Sequence, residues 1–195
     1  MNVDAIEIDV QQTSDGHLIV LHDRHLHPST TGRGNVADFP LDEIRDLRTT
    51  PGDQPIPTLH EVLACVNGKA GLMLELKAPG IANEVAAAVR QSGFAGPVYY
   101  ASFFHEEMLA IRDADAGAAT IVLFQGTPVN LTSFATDARA SHAGLSIESL
   151  SPHFVAKLHE AGVQVFTYTV DEPEEIEFAR ACGVNGLISD FPDRL

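Results

Sequence analysis

Short apolar segments alternate with segments of helical periodicity along most of the chain, and this alternation constrains the fold more than any other feature. The apolar segments are rich in β-branched residues and predict strands at residues 4–10, 71–76, 97–101, 119–124, 143–147, 163–170 and 186–189. Helices are predicted between most of them, at residues 58–66, 81–91, 104–114, 131–140, 152–161 and 172–181. Strands that alternate with helices pair in parallel through right-handed crossovers. The pattern therefore predicts an α/β protein with seven parallel strands.

Two architectures accommodate seven parallel strands: an open doubly wound sheet, and a (β/α)8 TIM-type barrel that lacks its first βα unit. Polar residues suited to chemistry lie along or just after several different strands, as they do at the carboxyl face of barrels. An open sheet would gather them at one switch point, and no glycine-rich phosphate loop follows the first strand. The barrel is therefore preferred, with the absent unit placed before the strand at 4–10.

The length of 195 residues suits a single domain, 1–195, because no linker or low-complexity segment divides the chain. Residues 13–57 are rich in Gly, Pro, Thr and Asp, and they predict an excursion after the first strand with one helix near 41–47. The two cysteines, Cys65 and Cys182, lie far apart in predicted helices, so neither a disulfide framework nor a cysteine metal site is indicated.

Charge and hydropathy exclude several classes of partner. Twelve basic residues against 27 acidic ones give a formal charge of −15, which repels nucleic-acid phosphates and anionic lipid headgroups. No apolar run approaches the roughly 20 residues of a membrane span, and no secretory leader pattern precedes the first strand. The sequence thus predicts a protein without nucleic-acid partners or membrane spans, located in the cytoplasm.

Three carboxylates fall within predicted strands. Glu7 and Asp9 occupy alternate positions of the strand at 4–10 and therefore share one face, while the apolar residues between them take the other. Glu75 lies in the hydrophobic run at 71–76. Acids on strands of this kind need a cation between them, and oxygen ligands suit a hard divalent cation. His22 follows shortly after the first strand.

A series of short motifs runs in a recognisable order over essentially the whole chain. They are residues 5–16 (AIEIDVQQTSDG), 17–23 (HLIVLHD), 30–32 (TTG), 56–59 (IPTL), 74–77 (LELK), 102–103 (SF) and 183–193 (GVNGLISDFPD). In these motifs the sequence resembles the glycerophosphodiester phosphodiesterase family, a group of (β/α)8-barrel enzymes. Their shared order makes the resemblance more specific than any single motif.

The resemblance implies roles for individual residues. Glu7, Asp9 and Glu75 would hold a divalent cation, Mg²⁺ or Ca²⁺, and His22 would be one of two catalytic histidines. Lys77 would approach the substrate phosphate. A simpler alternative for the last strand is an internal ion pair between Glu75 and Lys77, which would not exclude a cation.

A further position departs from the family pattern. The segment 166–171 (FTYTVD) stands where the family commonly has Trp-Thr-Val-Asn, so Tyr168 would offer the glycerol moiety an aromatic wall in place of tryptophan.

The family's first strand, which carries His-Arg-Gly and supplies the partner histidine and an arginine, has no counterpart in residues 1–195. With His22 alone, half of the proton transfer is lost, and a loss of this kind typically costs about 10²–10⁴-fold in rate. We therefore expect weak or absent turnover for this chain, restored when such a strand is added before it. An open barrel edge would also favour pairing with a second copy as a homodimer.

Three functions follow from these observations. The first is metal-dependent hydrolysis of small glycerophosphodiesters to glycerol 3-phosphate and an alcohol such as choline or ethanolamine. The second is a non-catalytic barrel that binds metal and phosphate. The third, metal-assisted hydrolysis of another bond such as an amide, is disfavoured because no His-x-His strand motif accompanies the acids.

Overall fold

The computed structural model describes residues 3–195. Two compact units, Asp4–Val98 and Tyr99–Leu195, account for almost all of them. Each unit consists of strands and helices, and each is described by itself below.

The N-terminal unit is organised around strand β1 (Ala5–Gln12). On one side β1 pairs in antiparallel fashion with β2 (Leu18–Val20), and on the other it pairs in parallel with β3 (Gly71–Leu76). In this parallel register Asp9 lies opposite Glu75. Side chains alternate along a strand, so polar residues from the two neighbouring strands meet on one face.

Burial along β1 increases towards its carboxyl end. Val10 is fully buried, whereas Ile6 remains 40% exposed, although strand alternation predicts apolar packing for both. The apolar face of β1 is thus covered only in its second half.

Three helices belong to the N-terminal unit: α1 (Leu41–Arg45), α2 (Leu59–Val66) and α3 (Ala82–Ser92). The hydroxyl oxygen of Thr58 accepts a hydrogen bond from the backbone N–H of Glu61 and so caps the start of α2. The apolar residues of α2 at i, i+4 and i+7 are buried, so one stripe of this amphipathic helix faces the unit's interior.

The predicted excursion has a small core of its own. This excursion core consists of the buried residues Ile19, Leu21, Leu26, Val36, Ile44 and Ile56. The sequence did not predict β2, because a run of three residues is too short to stand out as a strand. A turn that contains Gly16, with a φ of +86°, returns the chain so that β2 pairs beside β1.

The C-terminal unit repeats strands and helices in regular order. Its strands are β4 (Val98–Ser102), β5 (Ala119–Phe124), β6 (His142–Ser146), β7 (Gln164–Tyr168) and β8 (Gly186–Leu187), each paired in parallel with the next. Its helices are α4 (His105–Ala114), α5 (Ser133–Asp137), α6 (Pro152–Glu160) and α7 (Pro173–Cys182). Ser151 caps α6 by accepting a hydrogen bond from the Phe154 N–H, and Gly183 ends α7 in the left-handed conformation that glycine adopts readily.

The predicted elements recur in the structure with small changes of length. All seven predicted strands are present in the described residues, and β2 is an addition. The largest differences are α5, which has five residues where ten were predicted, and β8, which has two. Among the described residues no helix is long and apolar enough to cross a membrane.

Candidate active site

The three predicted carboxylates converge in the N-terminal unit. Each of Glu7, Asp9 and Glu75 offers a carboxylate oxygen, and these oxygens all lie within 4.8 Å of one another. The Glu7 Oε1 atom is buried, while the side chains of Asp9 and Glu75 are only 15% and 12% exposed. Of the residues that the structure describes, these three form the one group of acidic, histidine or cysteine side chains close enough to hold a metal ion.

Lys77 lies among these acids. Its Nζ atom is 3.0 Å from Asp9 Oδ1 and 2.7 Å from Glu75 Oε1, and its side chain is 20% exposed. The backbone N–H of Lys77 donates to the carbonyl of Val10, which holds the residue at the end of β3 beside β1. The internal ion pair considered from the sequence is therefore present, together with the carboxylate cluster.

Burial and charge act in opposite directions on this group. Burial raises the pKa of the Glu75 carboxyl, and the hydrogen bond and positive charge of Lys77 only partly oppose it, while the charge of Asp9 adds to the rise. Burial by itself would lower the pKa of the Lys77 ammonium. Its hydrogen bonds and attraction to Glu75 and Asp9 outweigh burial, so the pKa of Lys77 is raised and this side chain remains charged.

His22 lies just beyond β2 with an exposed imidazole. Its Nδ1 atom is 2.9 Å from Asp23 Oδ1, and Asp23 Oδ2 accepts a hydrogen bond from the Ser29 hydroxyl. The bond from Ser29, followed by the bond from His22, lowers the pKa of Asp23, so this carboxylate is ionised and accepts only. Nδ1 must then carry hydrogen, which leaves Nε2 to exchange a proton.

Sequence reasoning assigned no role to Asp23 or Ser29. Asp23 stands next to His22 in the quoted motif, which was a usable signal. For Ser29 no such signal existed, because its contact depends on how the excursion turns back.

Gln11 was also missed, although it follows Asp9 at the same-face spacing of two residues. Its side chain is 4% exposed, and its amide nitrogen donates to the carbonyl oxygens of Leu21 at 2.8 Å and Asp23 at 2.6 Å. The Leu21 N–H in turn donates to the carbonyl of Asp9 at 3.0 Å. β1 therefore carries two of the acids and also holds the segment that bears His22.

Tyr168 ends β7 in the C-terminal unit. Its hydroxyl donates to the Phe124 carbonyl at 3.2 Å, and its ring packs edge-to-face against Phe103 with centroids 6.0 Å apart. The acids, Lys77 and His22 belong to the other unit, so a substrate contact by Tyr168 stays a prediction.

Comparison with known proteins identifies relatives along the full chain. Residues 1–194 match the model of the Glycerophosphoryl diester phosphodiesterase family. A glycerophosphodiester phosphodiesterase from Caldanaerobacter subterraneus subsp. tengcongensis is 32% identical over 208 residues, which covers 100% of this chain and 85% of the relative.

Solved structures with the same fold include an Oleispira antarctica phosphodiesterase in complex with the product sn-glycerol-3-phosphate, with a TM-score of 0.88 at 22% identity over 99% of this chain and 83% of that one. Glycerophosphodiester phosphodiesterase from Agrobacterium tumefaciens gives 0.81 at 24% identity, over 98% of this chain and 85% of that one. The predicted α/β fold of the (β/α)8 TIM-barrel type is confirmed. On the strength of the match over residues 1–194, this chain belongs to the glycerophosphoryl diester phosphodiesterase family.

Proposed function

We propose that this chain hydrolyses glycerophosphodiesters to glycerol 3-phosphate and an alcohol, with Mg²⁺ or Ca²⁺ held by Glu7, Asp9 and Glu75. The observation that carries the proposal is the convergence of these carboxylate oxygens within 4.8 Å. Family membership supports the same substrate class.

The chemistry of the cluster fits a hard divalent cation. All three donors are carboxylate oxygens, which Mg²⁺ and Ca²⁺ prefer over nitrogen or sulfur. With all three carboxylates ionised, the cluster and the Lys77 ammonium would together carry a net charge of minus two, which one divalent cation would balance. A bound cation would neutralise the phosphodiester and stabilise the charge that develops at phosphorus.

Lys77 is proposed to bind the substrate phosphate. Its two ion pairs restrict the ammonium, so little side-chain entropy is lost when a phosphate oxygen approaches. An ammonium retains a third donor hydrogen when two are engaged, and this hydrogen can serve the substrate.

His22 is proposed to move the proton, at Nε2. Asp23 holds the imidazole in the tautomer with hydrogen on Nδ1, and Ser29 holds Asp23. One histidine cannot readily act as base for the attacking hydroxyl and acid for the leaving alcohol at the same time. We therefore propose slow turnover by residues 1–195 and faster turnover when a strand with His-Arg-Gly is joined before them.

Tyr168 is proposed as an aromatic wall for the glycerol moiety, on the evidence of its place at the end of β7. Its hydrogen bond to Phe124 and ring contact with Phe103 restrict the ring, as a binding wall requires. A cytoplasmic location and pairing of two copies stay predictions.

The test is release of glycerol 3-phosphate from glycerophosphocholine and glycerophosphoethanolamine. Residues 1–195 and the same chain extended at its N-terminus by a strand that carries His-Arg-Gly are each assayed with Mg²⁺, Ca²⁺ or a chelator. We expect cation-dependent turnover, faster by about 10²–10⁴-fold in the extended protein.

Turnover that survives the chelator would contradict the cation's role. Equal rates in the two proteins would contradict the proposed impairment. Tight cation binding without turnover in either protein would favour the non-catalytic barrel.

A further inference from the structure

Gln11, near the carboxyl end of β1, contacts the backbone of the segment that follows β2. Its side chain is 4% exposed, and its amide nitrogen donates to the Leu21 and Asp23 carbonyls at 2.8 Å and 2.6 Å, with the His22 carbonyl at 3.4 Å. A primary amide has two donor hydrogens, so both short contacts can be satisfied at once.

These bonds fix the backbone on both sides of His22. The carbonyls on either side of it, those of Leu21 and Asp23, are bound by the same side chain. The Leu21 N–H is also bound, by the Asp9 carbonyl at 3.0 Å. Hydrogen bonds to Asp9 and Gln11 therefore fix the backbone around His22 against β1.

Few side chains could replace Gln11. The site requires a donor of two hydrogen bonds that is uncharged, fits a strand and reaches across to the next segment. An apolar residue of the same size would leave one buried and one partly buried carbonyl without this donor, at a cost comparable with the loss of ordinary hydrogen bonds. Gln12, its neighbour, provides the contrast, because its amide makes one exposed bond to Gly16 at 3.3 Å.

We propose that Gln11 is a positioning residue that sets His22 relative to the carboxylate cluster by binding the backbone on both sides of it. The expected effect on kcat rests on the proposed function. The expected effect on the stability of the His22 segment does not, because amide exchange measures it without any turnover. Gln11 itself touches backbone and does not take part in the reaction.

The experiment compares Gln11→Met, which keeps size and removes both donors, with Gln12→Met as the matched control. Gln11→Asn, which keeps the amide group on a shorter side chain, is a second variant that should disturb folding less than Gln11→Met. Three quantities are measured on residues 1–195: amide exchange at Leu21 by NMR, cation affinity by calorimetry with Mg²⁺ or Ca²⁺, and kcat and KM with glycerophosphocholine.

We expect both Gln11 variants to accelerate exchange at Leu21, by about tenfold or more, because one to two hydrogen bonds that close the segment are lost. Cation affinity should stay within about twofold. The kcat value should fall by about 10- to 100-fold with KM little changed, since a small misplacement of a catalytic group costs this much. Gln12→Met should change none of the three.

Unchanged exchange at Leu21 in the Gln11 variants would overturn the proposal, as would a loss of cation affinity equal to the loss of kcat. If the parent chain shows no turnover at all, the proposed function fails, yet the exchange rates still decide whether Gln11 holds the His22 segment.

Discussion

The two units of this protein place polar side chains on their strands in different ways. In the N-terminal unit, β1 and β3 carry charged residues, Asp9, Glu75 and the adjoining Lys77, with little exposure. In the C-terminal unit, the buried polar side chains on the described strands are neutral, namely Ser102, Thr120, His142, Ser146 and Thr167. Thr167, for example, donates its hydroxyl hydrogen to the Leu145 carbonyl.

The difference lies in the energetic cost of the polar groups that each unit buries on its strands. A buried charge is costly unless it is paired, and the N-terminal unit offsets that cost with Lys77 and a dense set of hydrogen bonds. Buried hydroxyls cost much less, because a single backbone carbonyl satisfies them. The N-terminal unit therefore carries paired charges on its strands, while the strands of the C-terminal unit carry neutral polar groups among their buried side chains.

The largest expected effect comes from neutralising one acid of the cluster. Each unit contains a glutamate paired with lysine, Glu75 with Lys77 and Glu160 with Lys157, but only the first pair is shielded from water. Glu75→Gln should abolish cation binding in calorimetry and lower glycerol 3-phosphate release by more than about 100-fold, the upper range for residues that merely support a metal ligand.

Glu160→Gln is the control, and it should leave both measurements unchanged, since exposed ion pairs contribute little. Cation affinity retained in Glu75→Gln would show that the shielded carboxylates of the N-terminal unit do not form a cation site.

A second test compares the two apolar cores. Leu26 in the excursion core and Leu145 in β6 are both fully buried. Truncation of either to alanine should lower the free energy of unfolding by about 2–5 kcal/mol, measured by urea denaturation. Below the unfolding transition, only Leu26→Ala should also reduce turnover, because Leu26 shares the excursion core with Leu21, the residue before His22. Equal turnover in the two variants would show that the excursion core does not support the site.

The neutral character of the C-terminal strands can be tested through pH. Burial lowers the pKa of His142, and hydrogen bonds from its surroundings only partly oppose this. The unfolded chain therefore takes up the proton first as the pH falls below about 6.5, and the stability present above that pH is lost progressively until the folded state is protonated too.

The loss cannot exceed about 1.4 kcal/mol per pH unit for one proton. Thermal unfolding from pH 8 to pH 5 should thus show a steeper fall in the parent protein than in His142→Phe. His153→Gln, which changes an exposed histidine of the same unit, should follow the parent. A parallel course for all three would refute the assignment to His142.

The smallest expected effect concerns helix capping, where the units should behave alike. Thr58 and Ser151 each accept a hydrogen bond from the N–H three residues on, at the start of α2 and α6. Replacement of either by alanine should cost about 1 kcal/mol of unfolding free energy in urea titrations. A much larger loss for Thr58→Ala would mean that its contacts with Glu61, which also binds Arg45, are coupled to the excursion.

Local periodicity was enough to predict the elements and the face shared by the acids. Alternation placed Glu7 and Asp9 together, and the apolar run at 71–76 indicated a strand for Glu75, which the register with β1 confirms. These features depend on residues a few positions apart, so they can be read directly from the chain.

Contacts that depend on how the chain turns between one element and the next could not be predicted in this way. The pairing of β2 with β1, the bonds from Gln11 to Leu21 and Asp23, and the contact between Ser29 and Asp23 depend on the path of the excursion. The amino-acid sequence by itself determined the strands, the helices and the carboxylate face, because side-chain periodicity is a local property. Only the tertiary structure decided how His22 is held beside β1, because hydrogen bonds between distant segments form where the folded backbone brings donor and acceptor together.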